Sequence, residues 1–244
     1  EDGLPNGIVT ENACYAVAEA VPRPDIDRLE ELYCDAMQLA VRQGLTSVQS
    51  NDVSDANAEW MFPLWRRLYA QGRMPLRYRY QYCFLKKKNF QQFLQGEWLQ
   101  RQAYDRMLSL GPLKLYKDGS LGARTALMRQ PYADDFLNYG TQVLNDDQMG
   151  ELCRLAAEQG IQVVTHAAIS SVIDSYEGVM QSGENMLRHG LIHCQITDRA
   201  LLERIARLGI LAMVQPIFLN YDLHIVEARV GAQLASTSYA FASL

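Results

Sequence analysis

The sequence predicts an α/β protein, one domain over residues 1–244, built as an incomplete or distorted TIM-type (β/α)8 barrel. Three observations predict it. Short apolar runs alternate with amphipathic stretches, the rhythm of strand–helix–strand units that wind right-handed onto a mostly parallel sheet. Polar residues gather at the C-terminal ends of several different runs, where barrel active sites form. An open doubly wound sheet would show a glycine fingerprint early in the chain, and none occurs. About six strands are countable, fewer than the eight of a closed barrel, so the first and last barrel strands are expected to be missing. The opening on Glu1-Asp2-Gly3, without Met, fits a piece of a longer chain.

The elements follow in order. From about Asp25 to Gln43, Ile26, Leu29, Leu32, Tyr33, Ala36, Met37 and Ala40 share one helix face, and Gly44 stops the helix. Leu45 to Gln49 reads as a strand. A second amphipathic stretch runs from about Ala56 to Gln71, followed by a strand from about Leu76 to Phe84. Helix-like residues from about Phe90 to Leu108 lead into the strand Leu113 to Lys117. The Gly-rich stretch from Asp118 to Gly140 is long enough that it is expected to line or cover a site. Then come a helix (about Asp146 to Gln159), a strand (Gln162 to His166), a helix (about Val172 to Gly183) and a strand (Leu191 to Gln195). A last helix (Asp198 to Leu208) precedes the strand Ile210 to Val214.

Composition narrows the function classes. Hydrophobic residues make up 48% and charged residues 21%, enough for a cored globular protein. The formal net charge of −5 argues against a general nucleic-acid partner, and Lys86-Lys87-Lys88 reads as a solvated loop. No apolar run reaches membrane-spanning length and no signal-peptide pattern is present, so no membrane partner is expected. Five cysteines far apart, with no CxxC, fit reduced thiols in a cytoplasmic compartment.

Three residues carry candidate chemistry. His166 closes an apolar strand on the face shared with Gln162 and Val164. From these residues alone a metal ligand and a structural histidine are equally good readings. His193 sits near the end of the next strand, and two imidazoles on neighbouring strand ends suit Zn²⁺ and related cations. His189 and His224 lack that placement and read as surface or helix residues. Lys114 shares a strand face with Tyr116, opposite Leu113 and Leu115. A buried, unpaired ammonium loses its proton readily, and the neutral amine can add CO₂ to become a metal-bridging carbamate. The plainer alternative is an ion pair with Asp118, on the same strand face.

The stretch Leu113 to Ala126, LKLYKDGSLGARTA, resembles the K-x-x-x-DG-S-x-G-x-R-TA signature of amidohydrolase-3 proteins, which include the N-substituted formamide deformylases. Further similarities follow the same order: Gly44 to Val48, His166 after its hydrophobic strand, His193-Cys194-Gln195, Val214-Gln215-Pro216, Glu227 to Gly231, and Ser238 to Phe241. The resemblance covers nearly the whole chain. It implies a barrel of the metal-dependent hydrolase superfamily with one or two divalent metals, zinc foremost. Lys114 would be the carboxylated bridging lysine, and His166 and His193 metal ligands. Lys114, Asp118 and Arg124 would serve catalysis, and Ser120, Tyr116 and Gln215 substrate binding. The reaction implied is hydrolysis of a carbon–nitrogen bond in a small, non-peptide amide-like molecule by metal-activated water. The segment 1–43 resembles a helical, lid-like insertion and 44–244 the barrel itself. Self-association as a homodimer is compatible with the composition, although no heptad or other interface signature marks it.

The sequence departs from that family in two ways. It lacks the opening His-x-His strand and ends before the closing aspartate, so the chain alone is expected to be weak or inactive. Ser170 also stands where relatives carry a carboxylate, and Ile192 where many carry glutamate. The missing carboxylate at Ser170 favours an alternative, a degenerate barrel kept for binding without catalysis, whereas the intact Lys114, His166 and His193 set favours the enzyme. A barrel enzyme using Lys114 as a Schiff-base nucleophile is a third reading; it gives the histidine pair no role.

Overall fold

The computed structural model describes residues 24–96, 106–166 and 170–244, together with Gly7, Val9, Val17, Ala20, Val21 and Pro22. Among the described residues six strands form one sheet: β1 (Ser47–Ser54), β2 (Arg77–Cys83), β3 (Leu108–Tyr116), β4 (Val163–His166), β5 (Gly190–Ile192) and β6 (Leu211–Met213). Every neighbouring pair is parallel, and spatial order equals chain order. A doubly wound sheet reverses its order at a switch point. This one never does, which is the barrel-type winding expected from the sequence. The helices are α1 (Ile26–Arg42), α2 (Ala58–Ala70), α3 (Lys87–Gln95), α4 (Asp146–Glu158), α5 (Ser170–Glu177), α6 (Arg199–Leu208), α7 (Ile217–Asp222) and α8 (Val226–Ala235).

Strand alternation decides which side chains meet the helices. On β2, Tyr78 packs on Trp65 and Tyr80 on Phe62, both of α2, while Tyr82 meets Phe90 and Phe93 of α3. Leu113, Leu115, Val163 and Leu191 join the same core, all fully buried. With Leu113 and Leu115 committed to the helix side, Lys114 and Tyr116 fall on the other face, as the alternation predicts. The described part of the opening segment packs on the barrel: buried Glu30 of α1 pairs with Arg67 and Arg73, and Tyr33 meets the Trp65 ring edge-on. The stretch from Leu4 to Val21 lies almost wholly outside the described residues.

Several boundaries differ from the sequence reading. The helix expected from Phe90 to Leu108 is α3, which starts at Lys87 and stops at Gln95; residues 97–105 of that reading lie outside the described residues. Leu108 instead opens β3, a strand whose first half is masked in sequence by Ser109, Gly111 and Pro112. Gly111 is needed there, because a Cβ would sit 2.8 Å from the Tyr80 carbonyl oxygen. The lysine run is not a loop: Lys87 and Lys88 form the first turn of α3, and Lys87 pairs with Glu151. Strand β1 extends to Ser54 although its second half is polar, because Asp52 accepts a hydrogen bond from the Tyr78 hydroxyl and Asn51 donates to that of Tyr116. The helix expected to reach Gly183 ends at Glu177, with a separate short turn at Gln181–Gly183.

His189 is neither a surface nor a helix residue. It is buried just before β5, where its Nδ1 accepts the Val163 backbone N–H at 3.0 Å and its ring stacks on Tyr176. Burial pushes its pKa down from 6.5 to about 4. The folded imidazole stays neutral while the unfolded one takes a proton, so this contribution is complete above pH 6.5 and is lost as pH falls towards 4. The difference corresponds to about 3 kcal/mol. We expect urea midpoints of the native protein to fall over that window more steeply than those of His189→Asn; parallel curves would refute the assignment.

Candidate functional site

The C-terminal ends of β3, β4 and β5 are level: Tyr116 pairs in register with His166, and His166 with Ile192. His193 follows immediately after β5 with φ of 80°, and Cys194 with φ of 49°. Left-handed backbone at two successive non-glycine residues costs on the order of 1–2 kcal/mol each, and such strain concentrates at functional sites. It is held by the His193 N–H bond to the Met213 carbonyl and by the fully buried Cys194 side chain. This strained turn is why β5 ends at Ile192 and not at Gln195. It brings the His193 ring within 4.8 Å of His166, nearly perpendicular to it.

Each imidazole is oriented through Nδ1. Asp118 Oδ1 lies 3.2 Å from His166 Nδ1, and Gln215 Oε1 lies 2.6 Å from His193 Nδ1. The Gln215 amide points its oxygen that way because its nitrogen donates to the Met213 carbonyl at 3.0 Å. Both acceptors therefore call for a proton on Nδ1, and a neutral ring held in that way offers its Nε2 lone pair, the arrangement typical of metal-ligating histidines. Burial lowers the His193 pKa and His166 lowers it further, against the opposing Gln215 bond, so the ring is neutral at physiological pH.

Lys114 lies beneath this pair. It is 5% exposed, its Nζ has no hydrogen-bonding partner among the described residues, and the ammonium sits 4.3 Å above the Tyr116 ring centroid. Desolvation brings its pKa down from 10.5 to about 8, with Cys83 and Asp118 opposing. The ion pair with Asp118 is not formed: that carboxylate is spent on His166 and on the Leu127 backbone N–H at 2.9 Å. The neighbouring Lys117 is the paired lysine, fully buried against Asp146.

The Gly-rich loop is folded back on itself. Gly119 N–H bonds the Thr125 carbonyl, Thr125 and Ala126 N–H both bond the Ser120 carbonyl, and Thr141 N–H closes on Thr125. A Cβ on Gly119 would lie 2.1 Å from Thr125 Oγ1. The motif's glycine and threonine are thus one packing unit whose product is a fixed Asp118. With α7 and α8 the loop bounds a cleft of about 820 Å³. His166, His193, Asp118, Ser120, Ser170 and Ile192 lie on its wall beside Leu121, Met128, Phe218, Val230 and Leu234.

Of the residues singled out from sequence, Ser120 does reach the cleft. Arg124 does not: it turns outward into a two-bonded pair with Asp134 at 3.0 and 3.1 Å and is absent from the cleft wall. Tyr116 lies under Lys114, off the wall, and Gln215 is off the wall too, bonded to His193 Nδ1. Sequence reasoning missed Asp222 and Arg229, both on the wall. They come from short helices after the last strand, and Arg229 was visible only inside the Glu227 to Gly231 similarity.

The chain is 30% identical, over all of its length, to the Bacillus subtilis (strain 168) protein that carries the name amidohydrolase YtcJ, spanning 45% of that protein. It is 27% identical to the Arabidopsis thaliana protein LONG AFTER FAR-RED 3, over 99% of this chain and 43% of that one. The chain thus spans a little under half the length of these curated relatives. A crystal structure of an uncharacterized metal-dependent hydrolase from Pyrococcus furiosus superposes with a TM-score of 0.79 at 24% identity, over 96% of this chain and 48% of that one, and shares its fold. The sequence profile of the amidohydrolase family matches residues 1–244, and the chain belongs to that family.

Proposed function

We propose that this chain forms the central part of a metal-dependent hydrolase that cleaves carbon–nitrogen bonds in small, non-peptide amide-like substrates. The observation that carries the reading is the histidine pair, two imidazoles on adjacent strand ends, each engaged through Nδ1 and both on the wall of one cleft. Among the described residues no group of three or more His, Cys, Asp or Glu is placed to hold a metal. The orphaned Lys114 amine supplies what that donor set lacks. As a carbamate it becomes a carboxylate-like third ligand beside His166 and His193, the three-ligand count of catalytic zinc sites.

A divalent ion so held, zinc foremost, supplies an acidified water and polarises the scissile carbonyl. The protein residues do the rest. Asp118 and Gln215 fix the two rings, Tyr116 shields Lys114, and Ser120 presents a hydroxyl to the cleft. Phe218 packs edge-on against His193 on the cleft wall. The four described cysteines are free thiols, in keeping with a cytoplasmic setting. A second reading, a binding barrel without catalysis, draws on Ile192 and Ser170 occupying the cleft wall where a carboxylate would assist proton transfer.

Elemental analysis after incubation with zinc and bicarbonate separates the two. About one bound equivalent is expected in the native protein, falling at least tenfold in His166→Ala and in His193→Ala. Hydrolysis of N-formyl and N-acyl amines should fall in parallel. No metal in the native protein would sink the hydrolase reading; metal without turnover in the full-length protein would favour the binding barrel.

A further inference from the structure

We propose that Asp222 anchors a protonated amine, so that the molecule taken by this cleft is an amide whose far end carries an ammonium group. The inference rests on the hydrolase reading above and adds the substrate class to it. Among the described residues three carboxylates stand on the cleft wall: Asp118, Asp198 and Asp222. Asp118 has each oxygen engaged, one by His166 and the other by the Leu127 N–H, and Lys114 adds its charge from beneath. Asp198 also has each oxygen engaged, by the Leu201 N–H and by Arg129. Asp222 differs. Both of its bonds fall on Oδ2, from the Gln195 amide at 3.0 Å and the Tyr239 hydroxyl at 2.7 Å. Both donors are neutral, and among the described residues Oδ1 takes no hydrogen bond and no cation pairs with the group.

The arginines of the wall do not supply the missing charge, since Arg129 is paired with Asp198 and Arg229 with Asp134. Asp222 is nevertheless firmly held: the Tyr239 N–H bonds the Gln195 carbonyl at 2.7 Å, so its two donors brace one another. Burial, and then the bond to Asp222 and its charge, hold the Tyr239 hydroxyl well above its ordinary pKa, so it stays a neutral donor. Position ties the group to the chemistry. Asp222 lies four residues after Phe218 on α7, hence on the same helix face and about 6 Å along the axis. The Phe218 ring in turn lies 5.3 Å from that of His193, so a short substrate spans the two points. A guanidinium fork needs both carboxylate oxygens, whereas the single open Oδ1 suits one N–H of a compact ammonium.

The test uses 4-phenylbutylamine and its neutral counterpart 4-phenylbutan-1-ol as probes, titrated calorimetrically into the protein in chelator at neutral pH. Their common phenylbutyl body suits the apolar wall at Leu121, Met128, Val230 and Leu234. The amine is expected to bind about tenfold more tightly than the alcohol. Asp222→Asn keeps an acceptor for Gln195 and Tyr239 but removes the charge; it should abolish that preference and leave alcohol binding unchanged. Should Asp222→Asn fail to fold by circular dichroism, the native protein carries the test. A carbodiimide then couples the bound amine to its carboxylate, and peptide mass spectrometry should find the amide on Asp222, suppressed by excess alcohol. No preference in the native protein, an undiminished preference in Asp222→Asn, or the absence of that adduct from Asp222 overturns the proposal. Because these measurements need no metal, their failure is distinguishable from failure of the hydrolase reading, which the metal content reports separately.

Discussion

Lys114→Met is expected to make the protein more stable and unable to hold metal. The native ammonium is buried without a hydrogen-bonding partner among the described residues, and its drop from 10.5 to about 8 on folding corresponds to about 3 kcal/mol of destabilisation at neutral pH. Sign and window follow from linkage: between pH 8 and 10.5 the unfolded lysine holds a proton that the folded one has released. In chelator this contribution raises native stability through that window while the buried thiols of Cys83, Cys153 and Cys194, held above their ordinary range by burial, work the other way, so stability should fall less steeply with pH in the native protein than in the variant. Methionine fills nearly the same volume without a charge, so a gain of about 1–3 kcal/mol is expected at pH 7, seen as a melting temperature several degrees higher. Zinc retained after bicarbonate treatment should fall at least tenfold, because the carbamate ligand cannot form. In the native protein, bicarbonate-dependent zinc uptake should increase as pH rises through about 8, where the neutral amine becomes abundant. A variant that binds zinc normally, or that melts well below the native protein, would refute the assignment. A residue that weakens the fold and serves a ligand is what a functional site predicts.

Gly140→Ala should have the largest effect on stability. Gly140 has φ of +89°, and a Cβ would lie 2.1 Å from the Ala126 carbonyl oxygen and 2.9 Å from the Leu127 Cα. All the close atoms are backbone, so no side chain can swing away. Strained φ and steric overlap together should cost about 3–5 kcal/mol, a fall of roughly 10 °C in melting temperature. The damage should reach the site, because Leu127 N–H is the bond that holds Asp118. A displaced Asp118 no longer orients His166, and loss of such an orienting partner typically lowers metal affinity ten- to a hundredfold. Gly122→Ala, where a new Cβ would meet nothing within 4 Å, is the control and should melt within about 1 °C of the native protein. Equal melting temperatures for the two variants would show that the loop is not the packed unit described here.

The strand–helix alternation was enough to predict an α/β barrel-type sheet, its count of six strands and the strand ends carrying His166 and His193. It also placed Lys114 opposite Leu113 and Leu115, because side-chain direction along a strand has a period of two and needs no tertiary information. The long loop was marked by its glycines, and its resemblance to the amidohydrolase signature identified the family. What the tertiary structure decided is how those residues are used. Whether Lys114 or Lys117 is the paired lysine depends on where Asp146 lies, which is set by the packing of α4 and not by spacing along the chain. Arg124 turned outward because Asp134 folds back to meet it, and Gln215 meets the His193 ring, which follows β5 in a left-handed turn. Arg229 entered the cleft from a helix after the last strand, beyond the reach of any periodicity. Local pattern follows from the geometry of one strand or helix, whereas partner choice among charged and polar groups is settled by long-range closure.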